Sequence, residues 1–420
     1  MAEEKAMERY PVISSKGEIV AWIVSGGDFT ALYNREGKLE KLVLWMDSEH
    51  GVNVIEYYDE KTRTLRVGDV VVTVWRHIDD VPWPPVYTIG SVDEYVEWLA
   101  EKLLNEGIKP GKVVVNYSGG KDSLAALYVL AEAGRKIGLE VYAAYVYVWP
   151  LEPKYSARFA ECSARKLGVE ILCLETDRDF MASRLKNAGL PYRGVRWCTY
   201  QKLKPLKKKR KEFKPDYVAQ GERLLEAWKR FKRLYHMSRT PRILTGSMIR
   251  PVYPLTLLDI AKIVRRTGLI HPDYLLGYPR VACLMCPYRA LHEFPPNWLK
   301  HLPDPGLVEE VLKITYRLRG YADKGIPYQD YLEQHLWRYN VEEAATLYRA
   351  KKMLPKNLEE VKVDVVEDMY RSLWLNPLPR APVIGVEKSI EILGGYAKPH
   401  FDKLAAIAGG AESWSTQKSG

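Results

Sequence analysis

Residues Val113 to Leu130 read VVVNYSGGKDSLAALYVL, and this stretch constrains the fold more than any other. An apolar, β-branched run leads into a short polar loop, and a different apolar spacing begins after it. The first pattern predicts a buried strand and the second an amphipathic helix. Further strands and helices alternate along the following sequence, which predicts an α/β fold with a parallel sheet and helices on both faces. Ligands of such sheets bind at the carboxyl ends of the strands.

The loop between the predicted strand and helix, Ser118 to Ser123, has the sequence SGGKDS. Its glycines let the backbone approach an anion, and the free amides of the helix start point toward that anion. Lys121 adds a full positive charge, while Asp122 and the two serines offer oxygen atoms to Mg²⁺. The loop is not a Walker A loop, because Val115 stands where its first glycine is required and an aspartate follows the lysine. The simpler interpretation is a turn that only links strand to helix.

The chain of 420 residues is long enough for two or three domains. Turn signals and β-branched runs predict a small β-rich module over residues 1–85, and the proline-rich VPWPPVY at its end marks a boundary. The alternating region predicts a nucleotide-binding domain over residues 86–295. A helical region is predicted over 296–408, and a disordered tail over 409–420.

The start of the chain, MAEEKAMERY, lacks the basic and apolar segments of a secretion signal, and no apolar stretch is long enough to cross a bilayer. We therefore expect a soluble, cytoplasmic protein without membrane contact. Lys and Arg number 63 against 53 Asp and Glu, which gives a net charge of +10. That surplus favours polyanionic partners, although a generally basic surface explains it equally well. The sequence does not indicate an oligomeric state.

Five cysteines without a secretion signal do not indicate a disulfide framework. Cys283 and Cys286 form a CxxC pair, and Cys198 precedes a lysine-rich stretch. These three thiols predict a metal site, either a [4Fe-4S] cluster with one open iron or a Zn²⁺ completed by another group. A redox pair and inert structural thiols remain alternatives. Cys162, on a helix, and Cys173, in an apolar strand, are expected in the core.

A basic stretch, QKLKPLKKKRKEFKP, runs from Gln201 to Pro215 directly after Cys198. It concentrates positive charge next to the predicted site, so it could lead a tRNA backbone or a polyphosphate toward the loop. A solvated helix face is the alternative. His236, near this stretch, and His292, soon after the CxxC pair, are the histidines placed to join the site.

The stretch NYSGGKDSLAAL resembles the PP-loop of the adenine nucleotide alpha hydrolases. Three further stretches are similar to the phosphoadenosine phosphosulfate reductase family: RWCTYQKLKPLKK at Arg196–Lys208, QGERLLEAWKR at Gln220–Arg230 and DYLLGYPRVACLMCP at Asp273–Pro287. The resemblance covers about Val113 to Pro287, and nothing similar covers the first 85 or the last 120 or so residues.

The resemblance implies that the loop binds the phosphate or sulfate oxygens of ATP or adenylyl sulfate, with Mg²⁺ near Asp122. It further implies that Gly221 and Arg223 contact the nucleotide, within a Gly-x-Arg-x-x-Glu pattern that ends at Glu226 and is followed by Arg230. The residues implied in nucleotide binding are Ser118, Gly119, Gly120, Lys121, Asp122, Ser123, Gly221 and Arg223. Those expected to act in catalysis are Lys121, Asp122 and Cys198.

Two features depart from the family. Val148-Trp149-Pro150, with Glu152 nearby, stands where the family often shows Asp-Thr-Gly, and no cysteine follows Cys286, whereas the reductases use a cysteine in a C-terminal tail. Because lysine in the loop suits a pyrophosphate leaving group, the sequence favours an enzyme of sulfur metabolism that uses ATP to adenylate an acceptor and transfers sulfur through its cysteines. Reduction of a (phospho)adenylyl sulfate to sulfite is one alternative. A non-catalytic nucleotide- or RNA-binding protein is the other.

Overall fold

The structure is a computed structural model. It describes the backbone of strands between residues 10 and 87, and then residues 91–223, 234, 242–255, 257–278, 280–289, 293–353, 371 and 374. Several predictions fall on positions outside these ranges: the roles of Glu226, Arg230, His236 and His292, and the tail over 409–420.

The N-terminal segment contains two four-stranded sheets. The first is antiparallel, with the order β1-β2-β3-β4, and consists of β1 (Tyr10–Ile13), β2 (Ile19–Gly26), β3 (Phe29–Tyr33) and β4 (Leu39–Leu44). The second consists of β5 (Tyr57–Asp59), β6 (Thr64–Val67), β7 (Val70–Trp75) and β8 (Val86–Tyr87). The β-rich character predicted for this part of the chain is confirmed.

A six-stranded sheet follows, with the order β11-β10-β9-β12-β14-β13. Its strands are β9 (Gly111–Asn116), β10 (Leu139–Tyr147), β11 (Glu170–Glu175), β12 (Tyr217–Gln220), β13 (Leu244–Thr245) and β14 (Met248–Ile249). All neighbouring strands are parallel except β13 and β14. β9, the strand before the glycine loop, lies between β10 and β12, so the loop emerges at the middle of the sheet.

The helices that the structure describes follow the predicted alternation and then dominate the C-terminal region. They are α1 (Val92–Asn105), α2 (Lys121–Ile137), α3 (Lys154–Lys166), α4 (Arg178–Ala188), α5 (Trp197–Phe213), α6 (Leu257–Thr267), α7 (Pro272–Leu275), α8 (Pro305–Leu318), α9 (Tyr328–Glu333) and α10 (Val341–Met353). The predicted fold class is confirmed. Within the described residues, no helix combines the length and apolarity needed to cross a bilayer.

Both faces of the central sheet are covered, which explains why β9 is an uninterrupted valine run. Val113 and Val115 belong to a core shared with α1, α2 and α6. Val114 faces the opposite side, where it packs in a cluster with Leu206 of α5. All three valines are almost fully buried. Burying apolar side chains on both faces stabilises the strand that carries the loop.

A second core joins the α/β part to the C-terminal helices. It contains Met181 and Leu185 of α4, Leu284 and Met285 between the CxxC cysteines, and apolar residues of α8. The boundary predicted at residue 295 stays a prediction, but the apolar packing is continuous across it. The loop between Cys283 and Cys286 is therefore anchored on its apolar side.

The core positions predicted for Cys162 and Cys173 are wrong, because both side chains are exposed. Cys162 lies on the outer side of α3, whose buried positions include Ala160 and Ala164. Cys173 lies on β11, which is an edge strand among the described strands of the sheet and pairs there with β10. An apolar strand pattern does not distinguish an edge strand from a central one.

His335, inside the second core, is expected to make the protein sensitive to acid. The centroids of its ring and the Phe294 ring are stacked 3.9 Å apart. Burial lowers the pKa of His335 from 6.5 to about 3, and the charge of Arg338 adds a smaller effect in the same direction. The unfolded chain therefore binds a proton that the folded chain excludes, so stability is lost as pH falls from about 6.5 toward 3. Between pH 7 and pH 5, the free energy of unfolding of the wild type should therefore fall by about 2 kcal/mol more than that of His335→Asn.

Urea unfolding at the two pH values measures this difference. Asparagine tolerates the positive φ of +49° at this position. His301→Asn, at an exposed histidine, is the matched control. Its free energy of unfolding should change between pH 7 and pH 5 as much as that of the wild type. An equal change with pH in His335→Asn and the wild type would contradict the prediction.

Candidate active site

The glycine loop connects the end of β9 to the start of α2 and is held in shape by its own serines. Ser118 donates its N–H to Ser123 Oγ at 3.2 Å, and Ser123 Oγ donates to the carbonyl of Gly120 at 2.9 Å. The backbone of Gly119 is left-handed, with a φ of +76°, which glycine adopts without strain. The serine oxygens that were expected to bind Mg²⁺ thus shape the loop, and their role as metal ligands stays a prediction.

Two buried cations share one carboxylate at the start of α2. Lys121 Nζ lies 3.3 Å from Asp122 Oδ2, and Arg223 Nε donates to Asp122 Oδ1 at 2.5 Å. The side chain of Arg223 is 1% exposed and that of Lys121 5% exposed. Two positive charges at the positive end of a helix dipole suit an anion. The predicted roles of these residues in nucleotide binding and catalysis stay predictions.

Gly221 has a packing role that its sequence pattern does not reveal. A Cβ at this position would lie 2.5 Å from the carbonyl oxygen of Asp122 and 2.8 Å from the Cα of Ser123. The residue after β12 therefore passes directly against the first turn of α2, and a side chain would push the two apart. This contact also brings Arg223 to Asp122.

His271 and Tyr274, which sequence analysis missed, border the loop from α7. The hydroxyl of Tyr274 accepts the N–H of Lys121 at 2.8 Å, and Cδ2 of His271 would lie 3.6 Å from a Cβ on Gly119. Nδ1 of His271 accepts the N–H of Asp273 at 3.0 Å and thereby caps α7. The sequence signal was the His-Pro-Asp-Tyr start of a short helix directly before the CxxC stretch.

The three predicted cysteines lie near one another. Cys198 is the second residue of α5, while Cys283 and Cys286 share a turn in which the Cys286 N–H donates to the Cys283 carbonyl at 3.0 Å. Burial raises the pKa of Cys198, and the neighbouring Cys286 adds to the effect. Burial also raises the pKa of Cys283, to which Glu152 and both other thiols contribute, while Lys202 partly offsets them.

The thiols do not form a ligand shell in this arrangement. Across the described residues, no group of three or more His, Cys, Asp or Glu side chains is placed to hold a metal ion. Three sulfur donors suit zinc or iron in chemical type, but their geometry here does not fit either. The metal assignment of Cys198, Cys283 and Cys286 stays a prediction.

Glu152 lies two residues after Val148-Trp149-Pro150, the segment where the sequence departs from the family. Its carboxylate is buried, accepting the hydroxyl of Tyr145 at 2.7 Å and the N–H of Val148 at 3.0 Å. These bonds fix the turn after β10. The carboxylate lies close enough to Cys283 to oppose ionisation of that thiol.

The segment that leads into the CxxC turn passes close to the glycine loop. A Cβ on Gly120 would lie 3.8 Å from Cβ of Val281, two residues before Cys283. In addition, the N–H of Met285 donates to the carbonyl of Leu151 at 3.1 Å, which attaches the turn to the segment after β10. The predicted anion site and the predicted thiol site are therefore neighbours.

The predicted basic stretch forms most of α5. Arg210 points inward, with Nη2 donating to the side-chain oxygen of Asn116 at the end of β9 at 2.5 Å. Lys207, Lys208 and Lys211 are exposed, and Tyr200 is 73% exposed. The helix thus presents cations and an aromatic ring to the solvent beside Cys198.

Residues 112–289 match the family model of the phosphoadenosine phosphosulfate reductase domain. This segment is a phosphoadenosine phosphosulfate reductase domain. The match covers less than half of the chain, and it includes the PP-loop and all three clustered cysteines. The resemblance to this family that was inferred from the sequence is confirmed over residues 112–289. No curated protein matches the chain.

Several solved structures are similar to the part of the chain that contains the phosphoadenosine phosphosulfate reductase domain. The U34-tRNA thiolase NcsA from Methanococcus maripaludis, with its [4Fe-4S] cluster, is 19% identical, covers 53% of this chain and 79% of its own, and has a TM-score of 0.35. A 4-thiouridine synthetase in complex with RNA and ATP is 16% identical over 48% of this chain and 53% of its own, with a TM-score of 0.30. The NAD+ synthetase from Burkholderia pseudomallei is 16% identical over 53% of this chain and 88% of its own, with a TM-score of 0.28. Similarities at these TM-scores carry no argument about function.

Proposed function

We propose that the domain binds ATP at Ser118–Ser123, transfers its adenylyl group to an acceptor, and delivers sulfur to that acceptor through Cys198, Cys283 and Cys286. The observation that carries the proposal is the approach of the segment before the CxxC turn to the PP-loop, where Cβ of Val281 lies 3.8 Å from the position that a Cβ on Gly120 would take. An anion site and a group of thiols side by side suit a reaction that activates an oxygen with a nucleotide and replaces it with sulfur.

The first step breaks the bond between the α-phosphorus and the pyrophosphate oxygen. An oxygen of the acceptor attacks the α-phosphorus, and pyrophosphate leaves with the electron pair. Lys121 and the start of α2 stabilise the charge that develops on the phosphoryl oxygens. Asp122 holds Lys121 and Arg223 in place, since it pairs with both. A pyrophosphate leaving group carries more charge than sulfate, which is why a buried lysine suits ATP.

The second step replaces the activated oxygen with sulfur. A sulfane-sulfur donor first leaves a persulfide on Cys198. Its terminal sulfur attacks the activated carbon of the acceptor, AMP leaves, and an acceptor–S–S–Cys198 disulfide forms. The thiolate of Cys286 then attacks the Cys198 sulfur, which releases the thiolated acceptor and leaves a Cys198–Cys286 disulfide. A dithiol reductant returns both cysteines to thiols, so the electrons balance.

The exposed face of α5 supports a tRNA as the acceptor. Its lysines suit a phosphate backbone, and Tyr200 offers a ring on which a base can stack. The helix begins at the cysteine cluster, because Cys198 is its second residue. A nucleic acid bound along α5 would thus have its reactive base near the thiols.

Reduction of an adenylyl sulfate to sulfite is the alternative, favoured by the family to which the domain belongs. The sequence carries no cysteine after Cys286, so the tail nucleophile of the reductases has no counterpart in it. A nucleotide- or RNA-binding protein without turnover is the second alternative.

The products formed from ATP and from adenylyl sulfate separate these functions. With α-labelled ATP, Mg²⁺, tRNA and a persulfide donor, we expect AMP and pyrophosphate, together with sulfur incorporated into the RNA. Cys198→Ser should still release pyrophosphate while losing sulfur incorporation. Cys162→Ser, at an exposed cysteine outside the cluster, is the matched control.

Other product patterns decide against the proposal. Sulfite released from adenylyl sulfate, without products from ATP, would establish the reductase. No product from either nucleotide, despite measurable binding, would establish a binding protein.

Iron or zinc that copurifies with the protein and is lost in Cys283→Ala would establish the metal site that the sequence predicts.

A further inference from the structure

Asp273 and Arg289 form a buried ion pair that the proposed chemistry does not use. Arg289 Nη2 lies 3.5 Å from Asp273 Oδ2, and both side chains are fully buried. Neither of these two atoms has a hydrogen-bond partner among the described residues. A buried ion pair with incomplete hydrogen bonding contributes little stability, and an apolar pair of similar volume is often at least as stable. Stabilising the fold is therefore a poor explanation for it.

Both members of the pair act on Ala282, the residue directly before Cys283. Arg289 Nη1 donates to the carbonyl of Ala282 at 3.0 Å, and the N–H of Ala282 interacts with the carboxyl of Asp273. Arg289 is itself fixed, because its Nε donates to the carbonyl of Glu293 at 2.7 Å and its N–H donates to the carbonyl of Cys286 at 3.0 Å. One guanidinium thus binds the backbone on both sides of the CxxC turn.

Asp273 also connects this arrangement to the PP-loop. It lies in α7 between His271, whose ring borders Gly119, and Tyr274, whose hydroxyl accepts the N–H of Lys121. A third partner, Tyr155, donates its hydroxyl to Asp273 Oδ1 at 2.7 Å. A short helix therefore contacts the loop on one side and the Cys283 segment on the other.

We propose that Asp273 and Arg289 are positioning residues that hold the backbone at Ala282 and thereby fix Cys283 relative to the nucleotide in the PP-loop. The inference rests on the proposed function, since it assigns these residues a part in bringing thiol and nucleotide together. To the residues of the proposed function, the inference adds two that touch neither the nucleotide nor the reacting sulfur. Its effect is on the geometry of one cysteine.

The alkylation rate of each cysteine tests this without depending on turnover. In Arg289→Lys the cation remains, but one ammonium cannot bind the carbonyls of Ala282 and Glu293 together with Asp273 as the guanidinium fork does. With iodoacetamide and peptide mass spectrometry on the full chain, we expect Cys283 to react about tenfold faster than in the wild type. The exposed Cys162 and Cys173 are internal references and should keep their rates, and ATP affinity should stay within about twofold.

A second variant keeps the test decisive if Arg289→Lys unfolds. Asp273→Asn retains the shape and one acceptor of the side chain but loses the charge that orients Arg289, so Cys283 should again be the cysteine that gains reactivity. An unchanged Cys283 rate in both variants overturns the proposal, as does uniform acceleration of all five cysteines, which would indicate a role in the fold alone.

Activity separates this inference from the proposed function. Cys286, which releases the thiolated acceptor in the proposed reaction, donates its N–H to the Cys283 carbonyl, so a displaced Cys283 also displaces the reacting thiol. If turnover follows that reaction, Arg289→Lys should lower kcat for sulfur incorporation about tenfold while leaving the KM for ATP and the release of pyrophosphate unchanged. If the wild type releases no pyrophosphate from ATP, the proposed function fails, and the selective change at Cys283 still decides whether the pair positions that residue.

Discussion

Lys121→Ala is expected to lower the rate of pyrophosphate release from ATP by at least about a hundredfold, since removal of one preorganised charge at a phosphoryl group costs this much or more. The ammonium group is buried next to Asp122 and lies at the start of α2, where phosphoryl oxygens would bind. Its loss removes a full positive charge from the place where those oxygens would bind. The effect should appear mainly in kcat, because the charge on the leaving group grows in the transition state.

Initial rates with labelled ATP measure the loss, and a lysine elsewhere on α2 provides the control. Lys136→Ala removes a cation from the last turn of the same helix, where Nζ pairs with Glu97 in an exposed salt bridge at 2.6 Å. Such surface pairs contribute little, so turnover should stay within about twofold of the wild type. Comparable losses in the two variants would show that Lys121 acts through general charge or helix stability. An unaffected Lys121→Ala enzyme would remove the nucleotide step as proposed.

The elements that the sequence predicted well are those whose pattern is local. The valine run of β9 and the spacing of α2 each follow from neighbouring residues, and the structure contains both. In the structure, α1 begins with a capping box between Ser91 and Glu94, and α2 ends at Gly138 in the left-handed conformation. Capping and periodicity act within a few residues, so a single sequence suffices to find them.

The parts that the sequence did not predict depend on contacts between distant residues. Lys121 meets Tyr274 across 153 positions, and Arg223 meets Asp122 across 101. Neither pairing leaves a periodic signal in the chain. The wrong core assignment of Cys173 has the same origin, because strand order decides which strand lies at an edge. The cysteine group was predicted from the chemistry of its three thiols, which does not depend on a local pattern.

Gly221→Ala is expected to destabilise the protein by about 3 kcal/mol and to weaken ATP binding at least about tenfold, because a methyl group here overpacks rigid backbone. The added Cβ would lie 2.5 Å from the Asp122 carbonyl oxygen, and neither partner is a flexible side-chain end. Either β12 or the first turn of α2 must shift. The loss of backbone entropy in the unfolded chain favours alanine by only about 0.4–1 kcal/mol, so the clash decides the sign.

Urea unfolding and ATP titration measure the two effects, and Gly306→Ala is the matched control. A Cβ on Gly306, in the first turn of α8, would have its nearest neighbour, Asp304 Oδ1, at 3.9 Å, so alanine there should leave stability unchanged or raise it slightly. If Gly221→Ala binds ATP as the wild type does, the close approach of β12 to α2 is not needed for the anion site. Binding that is lost with stability intact would instead assign Gly221 the direct nucleotide contact that the family resemblance implies.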